Sequence, residues 1–95
     1  MSEADWSRRV MDYAKLMGWR VVHVRPAHTE HGWRTPYEGD SGLPDLIMAR
    51  GGRTILVELK SDMGKLTAEQ QAWLDASDGY CFRPRDWDCV MELLR

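Results

Sequence analysis

Asp45, Glu58 and Lys60 are the residues of this 95-residue chain whose types and spacing point most directly to chemistry. They flank Arg50-Gly51-Gly52-Arg53, and Gly-Gly between two apolar runs signals a two-residue hairpin, because such turns need positive φ. With Gly51 and Gly52 as the turn, Arg50 opposes Arg53 and the register counts outward: Ala49 meets Thr54, Ile47 meets Leu56, Asp45 meets Glu58. Side chains alternate along a strand, so these last three pairs share a face. Directly opposed Cβ atoms lie roughly 4.5–5.5 Å apart, where like charges destabilise one another. Two facing carboxylates need a counter-charge, and a divalent cation held by oxygen ligands at roughly 2.0–2.6 Å fits between them. Lys60, two residues past Glu58, brings an ammonium to the same face. There it can stabilise negative charge developing on a phosphate or position an attacking water. Taken alone, Glu-x-Lys marks a solvated strand face and Pro44-Asp45 a turn; it is their conjunction across a hairpin that points to a site.

The elements that must hold these groups can be read from periodicity. Residues 3 to 17 predict a helix, with Trp6, Val10, Tyr13, Ala14 and Met17 at three- and four-residue spacing, Ser2 as cap and Gly18 as terminator. Residues 19 to 25 predict a strand, as do 46 to 49 and 54 to 60, the two arms of the hairpin. Residues 26 to 42 hold Pro26, Gly32, Pro36, Gly39 and Gly42 without apolar periodicity and are expected to be irregular; such a stretch in so small a domain usually carries function. Thr67 opens a second helix to about Ser77, with Trp73 and Leu74 facing inward, and Asp78-Gly79 ends it. A short strand over 80 to 83 is broken by Pro84, and Asp86 is the expected cap of a last helix carrying Val90, Met91, Leu93 and Leu94. The predicted order is αβββαβα, one α/β domain spanning residues 1–95.

Composition bounds the function. An apolar share of 43 %, with five Trp and six Met, suits a compact fold rather than a disordered chain. A domain this small buries a limited share of its surface, so self-association is expected. Thirteen Lys and Arg against fifteen Asp and Glu give a net charge of −2, which weighs against nucleic-acid binding. The distribution weighs the other way, since Arg8, Arg9, Lys15, Arg20, Arg25 and Arg34 crowd the first third. Cys81 and Cys89 belong to no CxxC pair and read as free thiols. His23, His28 and His31 lack the spacing of a zinc site. With no apolar leader and no membrane-length apolar run, the expected location is the cytoplasm. Trp33, Arg34 and Tyr37 form a basic and aromatic mix suited to a DNA backbone or an unstacked base, with His28, His31 and Ser41 as further candidate DNA contacts; the alternative for this loop is a contact between subunits.

Gly42-Leu43-Pro44-Asp45-Leu46-Ile47, then Val57-Glu58-Leu59-Lys60-Ser61, then Gly64-Lys65-Leu66-Thr67-Ala68-Glu69-Gln70 together resemble the VRR-NUC branch of the PD-(D/E)XK nucleases. Gly18-Trp19-Arg20 before them and Arg83-Pro84-Arg85-Asp86-Trp87 after them extend the likeness over nearly the whole chain. The resemblance implies a restriction-endonuclease-like core, αβββαβ with a short C-terminal helix and a mixed central sheet flanked by helices. It implies Mg²⁺ or Mn²⁺ held by Asp45, Glu58 and the backbone carbonyl of Leu59, with Lys60 catalytic. Glu3 matches the family's acidic residue on the first helix and is a further candidate metal ligand; the alternative is an acid favoured by the helix dipole. Gln70 matches the family's helical glutamine, a catalytic-site candidate, while Thr67-x-x-Gln70 is equally a capping box. Small stand-alone members, often phage-encoded, resemble Holliday-junction resolvases and act as homo-oligomers, and larger relatives serve DNA repair. This implies structure-selective cleavage of branched DNA by a dimer in a host cytoplasm. One departure stands out: Ser77-Asp78-Gly79 is a shorter link to the last strand than the family's.

Three other readings remain open at this level. A nuclease of flap or general DNA specificity would share the chemistry and differ in substrate. A non-catalytic DNA-binding or scaffold module would bind without cutting, although the intact Asp, Glu and Lys set argues against it. A protein-interaction domain using Trp87 and the last helix would bind no metal.

Overall fold

The computed structural model describes residues 1–24 and 37–95, together with the backbone of two three-residue strands between them. Helix α1 (Glu3–Leu16) leads into β1 (Arg20–His23), then β2 (Ala27–Thr29) and β3 (Gly32–Arg34). The hairpin β4 (Leu46–Arg50) and β5 (Arg53–Leu59) follows, then α2 (Ala68–Ala76), β6 (Gly79–Phe82) and α3 (Trp87–Leu94). The fold is α/β, with helices flanking a mixed four-stranded sheet of order β1-β4-β5-β6. β1 and β5 each pair antiparallel with β4, and β6 runs parallel to β5. This agrees with the expected PD-(D/E)XK-like architecture and element order except between residues 26 and 42. That stretch is not wholly irregular: β2 and β3 pair antiparallel, Ala27 with Arg34 and Thr29 with Gly32. Three-residue strands are too short to print an alternating pattern on a sequence.

Local chemistry explains the boundaries. The Ser2 hydroxyl accepts from the Asp5 N–H at 3.0 Å and starts α1. Gly18, at φ 88°, ends it, its N–H donating to the Lys15 carbonyl while the Trp19 N–H reaches the Ala14 carbonyl. Gly51 and Gly52 both take positive φ, 59° and 81°, and Arg50 pairs with Arg53 as the turn demands. Asp86 is not the side-chain cap it was expected to be. It ends a 3-10 turn over Pro84–Asp86 with φ −97° and ψ 15°, and its side chain caps nothing in α3; an N-cap side chain works from extended backbone.

The core lies on one face of the sheet. Leu46 and Met48 of β4 and Ile55 and Val57 of β5 are fully buried against Trp6, Val10 and Ala14 of α1 and Val90 and Leu94 of α3. Each such aliphatic side chain contributes on the order of 1.5–3 kcal/mol. The two buried indoles keep their N–H groups satisfied, Trp6 on the Phe82 carbonyl at 3.1 Å and Trp19 on the Leu94 carbonyl at 2.8 Å. Arg50 stacks over Trp19 and donates to the carbonyls of Met17, Leu94 and Arg95, closing the C-terminal ends of α1 and α3 with one cation.

α2 packs on β5 and β6. The short link into β6 closes because Gly79 has no side chain; a Cβ there would lie 2.6 Å from the Leu74 Cα. Ser77 turns the chain with its hydroxyl on the Trp73 carbonyl, and Asp78 is held by Arg53 at 2.8 Å. The last strand is therefore well anchored.

Candidate active site

Asp45 stands one residue before β4, at the end of Gly42-Leu43-Pro44. Leu46 pairs with Val57, so one step outward Asp45 falls level with Glu58, as the hairpin count requires. Two contacts fix it. Its carbonyl accepts from the Val24 N–H at 2.7 Å, and its Oδ2 accepts from the Leu59 N–H at 2.8 Å. The approach is set by Gly42, whose φ is +86° and whose missing Cβ would lie 2.7 Å from the Glu69 carbonyl carbon and 2.8 Å from the Gln70 nitrogen. The segment leading to Asp45 thus lies directly against the first turn of α2.

Glu58 is 3 % exposed, one of two buried polar residues among those described. Gln70 Nε2 donates to its Oε1 at 3.1 Å, while Oε2 is buried with no hydrogen-bond partner among the described residues. Burial, and after it the charge of Asp45, pushes the Glu58 carboxyl up to about 8, against the opposing pull of Lys60. The same glutamine caps α2. Its Oε1 accepts from the Thr67 N–H at 2.9 Å, and its N–H donates to the Thr67 hydroxyl at 3.1 Å. Both contacts coexist at Gln70, whose oxygen serves the cap while its nitrogen meets the acid.

Lys60 follows on the Glu58 side of β5, half-buried, its N–H on the Phe82 carbonyl at 3.1 Å. That carbonyl also receives the Trp6 indole, so α1, β5 and β6 converge behind the lysine. Leu59, between the acid and the lysine, lines two cavities. One of about 410 Å³ also takes in Glu3, Ser7, His23 and Asp45. The other, about 490 Å³, takes in Glu3, Lys60, Met63 and Pro84. Glu3 is exposed at the helix start and lines both cavities.

Ser41 is set apart. It lines a third cavity with Asp40, Glu69 and Trp73, and its carbonyl accepts from the Trp73 indole N–H at 3.0 Å. The side chains of His28, Trp33 and Arg34, and His31 altogether, lie outside the described residues. Two residues outside the expected site set share the cavity with Asp45: His23, weighed in the sequence only as a zinc ligand, and Ser7, whose hydroxyl lies 3.4 Å from His23 Nδ1. Ser7 is four residues from Glu3 on α1, a helical spacing that was legible. Cys81 and Cys89 are free thiols.

Among the described residues no group of three or more His, Cys, Asp or Glu is assembled to hold a metal. The fit to a divalent cation rests on fewer groups, all of them oxygens: Asp45, the unpartnered Oε2 of Glu58 and a main-chain carbonyl. Mg²⁺ is commonly held by one or two carboxylates and completes its shell with water. A buried carboxylate oxygen without a partner is the kind of atom a cation satisfies. No helix among the described residues is long and apolar enough to cross a membrane.

Comparison with protein families adds an independent line. The model of the VRR-NUC domain matches residues 6–79, a span that holds Asp45, Glu58, Lys60 and Gln70 and stops short of Glu3. No curated protein and no solved structure matches the chain. The paired acids, the lysine beyond them and the glutamine that reaches back from α2 all lie within the matched span, and the chain belongs to the VRR-NUC domain family, a family of nucleases.

Proposed function

We propose that this chain is a divalent-metal-dependent deoxyribonuclease of the PD-(D/E)XK type, which hydrolyses phosphodiester bonds and prefers branched DNA such as four-way junctions. The observation that carries the reading is the buried, unpartnered Oε2 of Glu58 beside Asp45 and Lys60. Asp45, Glu58 and the Leu59 carbonyl would hold Mg²⁺ or Mn²⁺, with Glu3 as a further ligand on α1. When bound, such a cation polarises the phosphate and lowers the pKa of a coordinated water.

The protein's own groups do the rest. Gln70 holds Glu58 by one oxygen, so that the other is offered in a fixed direction. The Leu59 N–H does the same for Asp45. The Lys60 ammonium offsets charge building on the phosphoryl oxygens in the transition state, or orients the attacking water. Its position is stiffened by the strand pairing behind it, which limits the reorganisation needed during reaction.

Arg34, His28, His31 and Trp33, with Ser41, are proposed as DNA contacts. A homodimer is the proposed assembly, since paired cuts across a junction need two sites in fixed geometry. The test is a panel of labelled four-way junction, flap and linear duplex, each cut with Mg²⁺ and with Mn²⁺. Preferential paired cutting of the junction supports the resolvase reading. Preference for the flap replaces it with a flap nuclease, and tight binding without cutting replaces both with a scaffold.

A further inference from the structure

Between Lys60 and α2 the chain makes a tight turn over residues 61 to 64, closed by the Gly64 N–H on the Ser61 carbonyl at 3.2 Å. The turn is held from outside by two arginines. Arg83 Nη1 donates to the Ser61 carbonyl at 2.7 Å and to the Gly64 carbonyl at 2.5 Å. The Arg85 N–H donates to Asp62 Oδ1 at 2.9 Å, and its guanidinium reaches the Asp62 carbonyl at 3.4 Å. The turn also sits against the catalytic lysine: a Cβ on Gly64 would come within 3.5 Å of Lys60 Cδ.

At the corner of this clamped turn is Met63, 88 % exposed and the most exposed large apolar side chain among the described residues. Turn corners favour Gly, Pro, Asn, Asp and Ser, so nothing in the turn's own geometry asks for methionine. Nor does the core, which Met63 does not touch. It lines the cavity of about 490 Å³ that also holds Lys60, Leu59 and Glu3. Lys60 lines the same cavity, Arg83 and Arg85 reach the carbonyls of the turn, and Lys65 follows it in the chain.

We propose that Met63 is a substrate-contacting wedge, which lies against a nucleobase at the Lys60 end of the site and helps to unstack it while the neighbouring cations hold the flanking phosphates. The proposal rests on the nuclease reading above. Apolar side chains, methionine included, are inserted between base steps by proteins that deform DNA. Such a wedge must not yield when it meets the stack, and the two-arginine clamp supplies that stiffness. A protein partner fits less well, since a stable interface buries roughly 800 Å² on each side and Met63 offers one side chain.

The test uses the full chain with DNA carrying 2-aminopurine beside the cleavage site, bound in EDTA so that nothing is cut. Because Met63 is exposed and lies outside the core, Met63→Ser should fold as the parent does, which circular dichroism checks. The wild type and Met63→Leu should raise 2-aminopurine fluorescence on binding, and Met63→Ser should lose most of that rise. With Mg²⁺, Met63→Ser should cut fully paired arms about tenfold more slowly, and the deficit should shrink when the marked base is mismatched, because unstacking is then already done. Equal fluorescence and equal cutting by Met63→Ser would overturn the wedge while leaving the nuclease intact. A changed oligomeric state of Met63→Ser with unaltered DNA behaviour would assign the residue to a contact between copies and also overturn it. A wild type that neither binds nor cuts DNA would remove the nuclease reading itself.

Discussion

Gln70 donates to Glu58 Oε1 across 3.1 Å while its own carbonyl oxygen accepts from the Thr67 N–H at 2.9 Å. One side chain thereby ties the start of α2 to the buried acid on β5. Helix formation and site geometry are the same event at this residue: unless α2 begins at Thr67, Gln70 is not in place to orient Glu58.

That coupling separates two substitutions. Thr67→Ala removes the cap hydroxyl and should lower stability by about 1 kcal/mol, with cleavage per folded molecule reduced little. Gln70→Glu keeps an acceptor for the Thr67 N–H but places a second carboxylate against Glu58. It should retain most of the stability at acidic pH and lose cleavage at neutral pH. Urea unfolding and single-turnover cleavage on both variants check this; equal activity losses in the two would dissolve the distinction.

Glu58 carries a pH signature. Its carboxyl is raised from 4.5 to about 8 by burial first and the Asp45 charge second. Between those values the folded state holds a proton that the unfolded state has released. Stability from this group is therefore present below about pH 4.5 and declines as pH rises towards 8. In EDTA, Glu58→Gln should melt several degrees above the wild type at pH 8, and the gap should close towards pH 4.5. Saturating Mg²⁺ should stabilise the wild type most at the alkaline end, because protons compete with the cation for the ligand. A gap that is flat with pH would contradict the assignment.

Gly42 and Gly39 make a matched pair. Both have positive φ, +86° and +115°, but a Cβ on Gly42 meets the α2 backbone whereas one on Gly39 meets nothing within 4 Å among the described residues. Gly39→Ala should cost about 1 kcal/mol of backbone strain. Gly42→Ala should cost about 2–4 kcal/mol, because α2 and the Asp45 segment must separate, and cleavage should fall with it. Denaturant midpoints measure both, and similar shifts would show that the close approach carries no weight.

Arg34 is proposed as a phosphate contact. Arg34→Gln should weaken DNA binding evenly across sequences and reduce the slope of log affinity against log salt by about one. An unchanged slope would remove Arg34 from the interface.

Much of this site was legible because one dipeptide constrained it. Gly51-Gly52 dictates the turn, the turn dictates the register, and period-two alternation carries that register out to Asp45 and Glu58. The helices were legible from apolar spacing and from Ser2, Gly18 and Thr67 at their ends. What stayed hidden depends on contacts between segments far apart in the chain. No local pattern announces that Arg83 will clamp the Ser61–Gly64 turn, that Trp73 will reach the Ser41 carbonyl, or that His23 will meet Ser7. The parallel pairing of β6 with β5 is likewise tertiary, made possible where Gly79 lets the strand pass under Leu74. Asp86 shows the converse, a good capping residue placed by its neighbours in a backbone conformation that cannot cap.

The central claim, that Asp45, Glu58 and Lys60 form a metal-dependent hydrolytic site, is tested most directly by the cleavage rate of a labelled four-way junction with Mg²⁺, with Mn²⁺ and with EDTA, for the wild type and for Lys60→Ala. Cutting that requires the metal and falls by about 10²-fold or more in Lys60→Ala, with binding affinity and fold retained, is the expected result. Cutting in EDTA, or a Lys60→Ala protein that cuts as fast as the wild type, would contradict it.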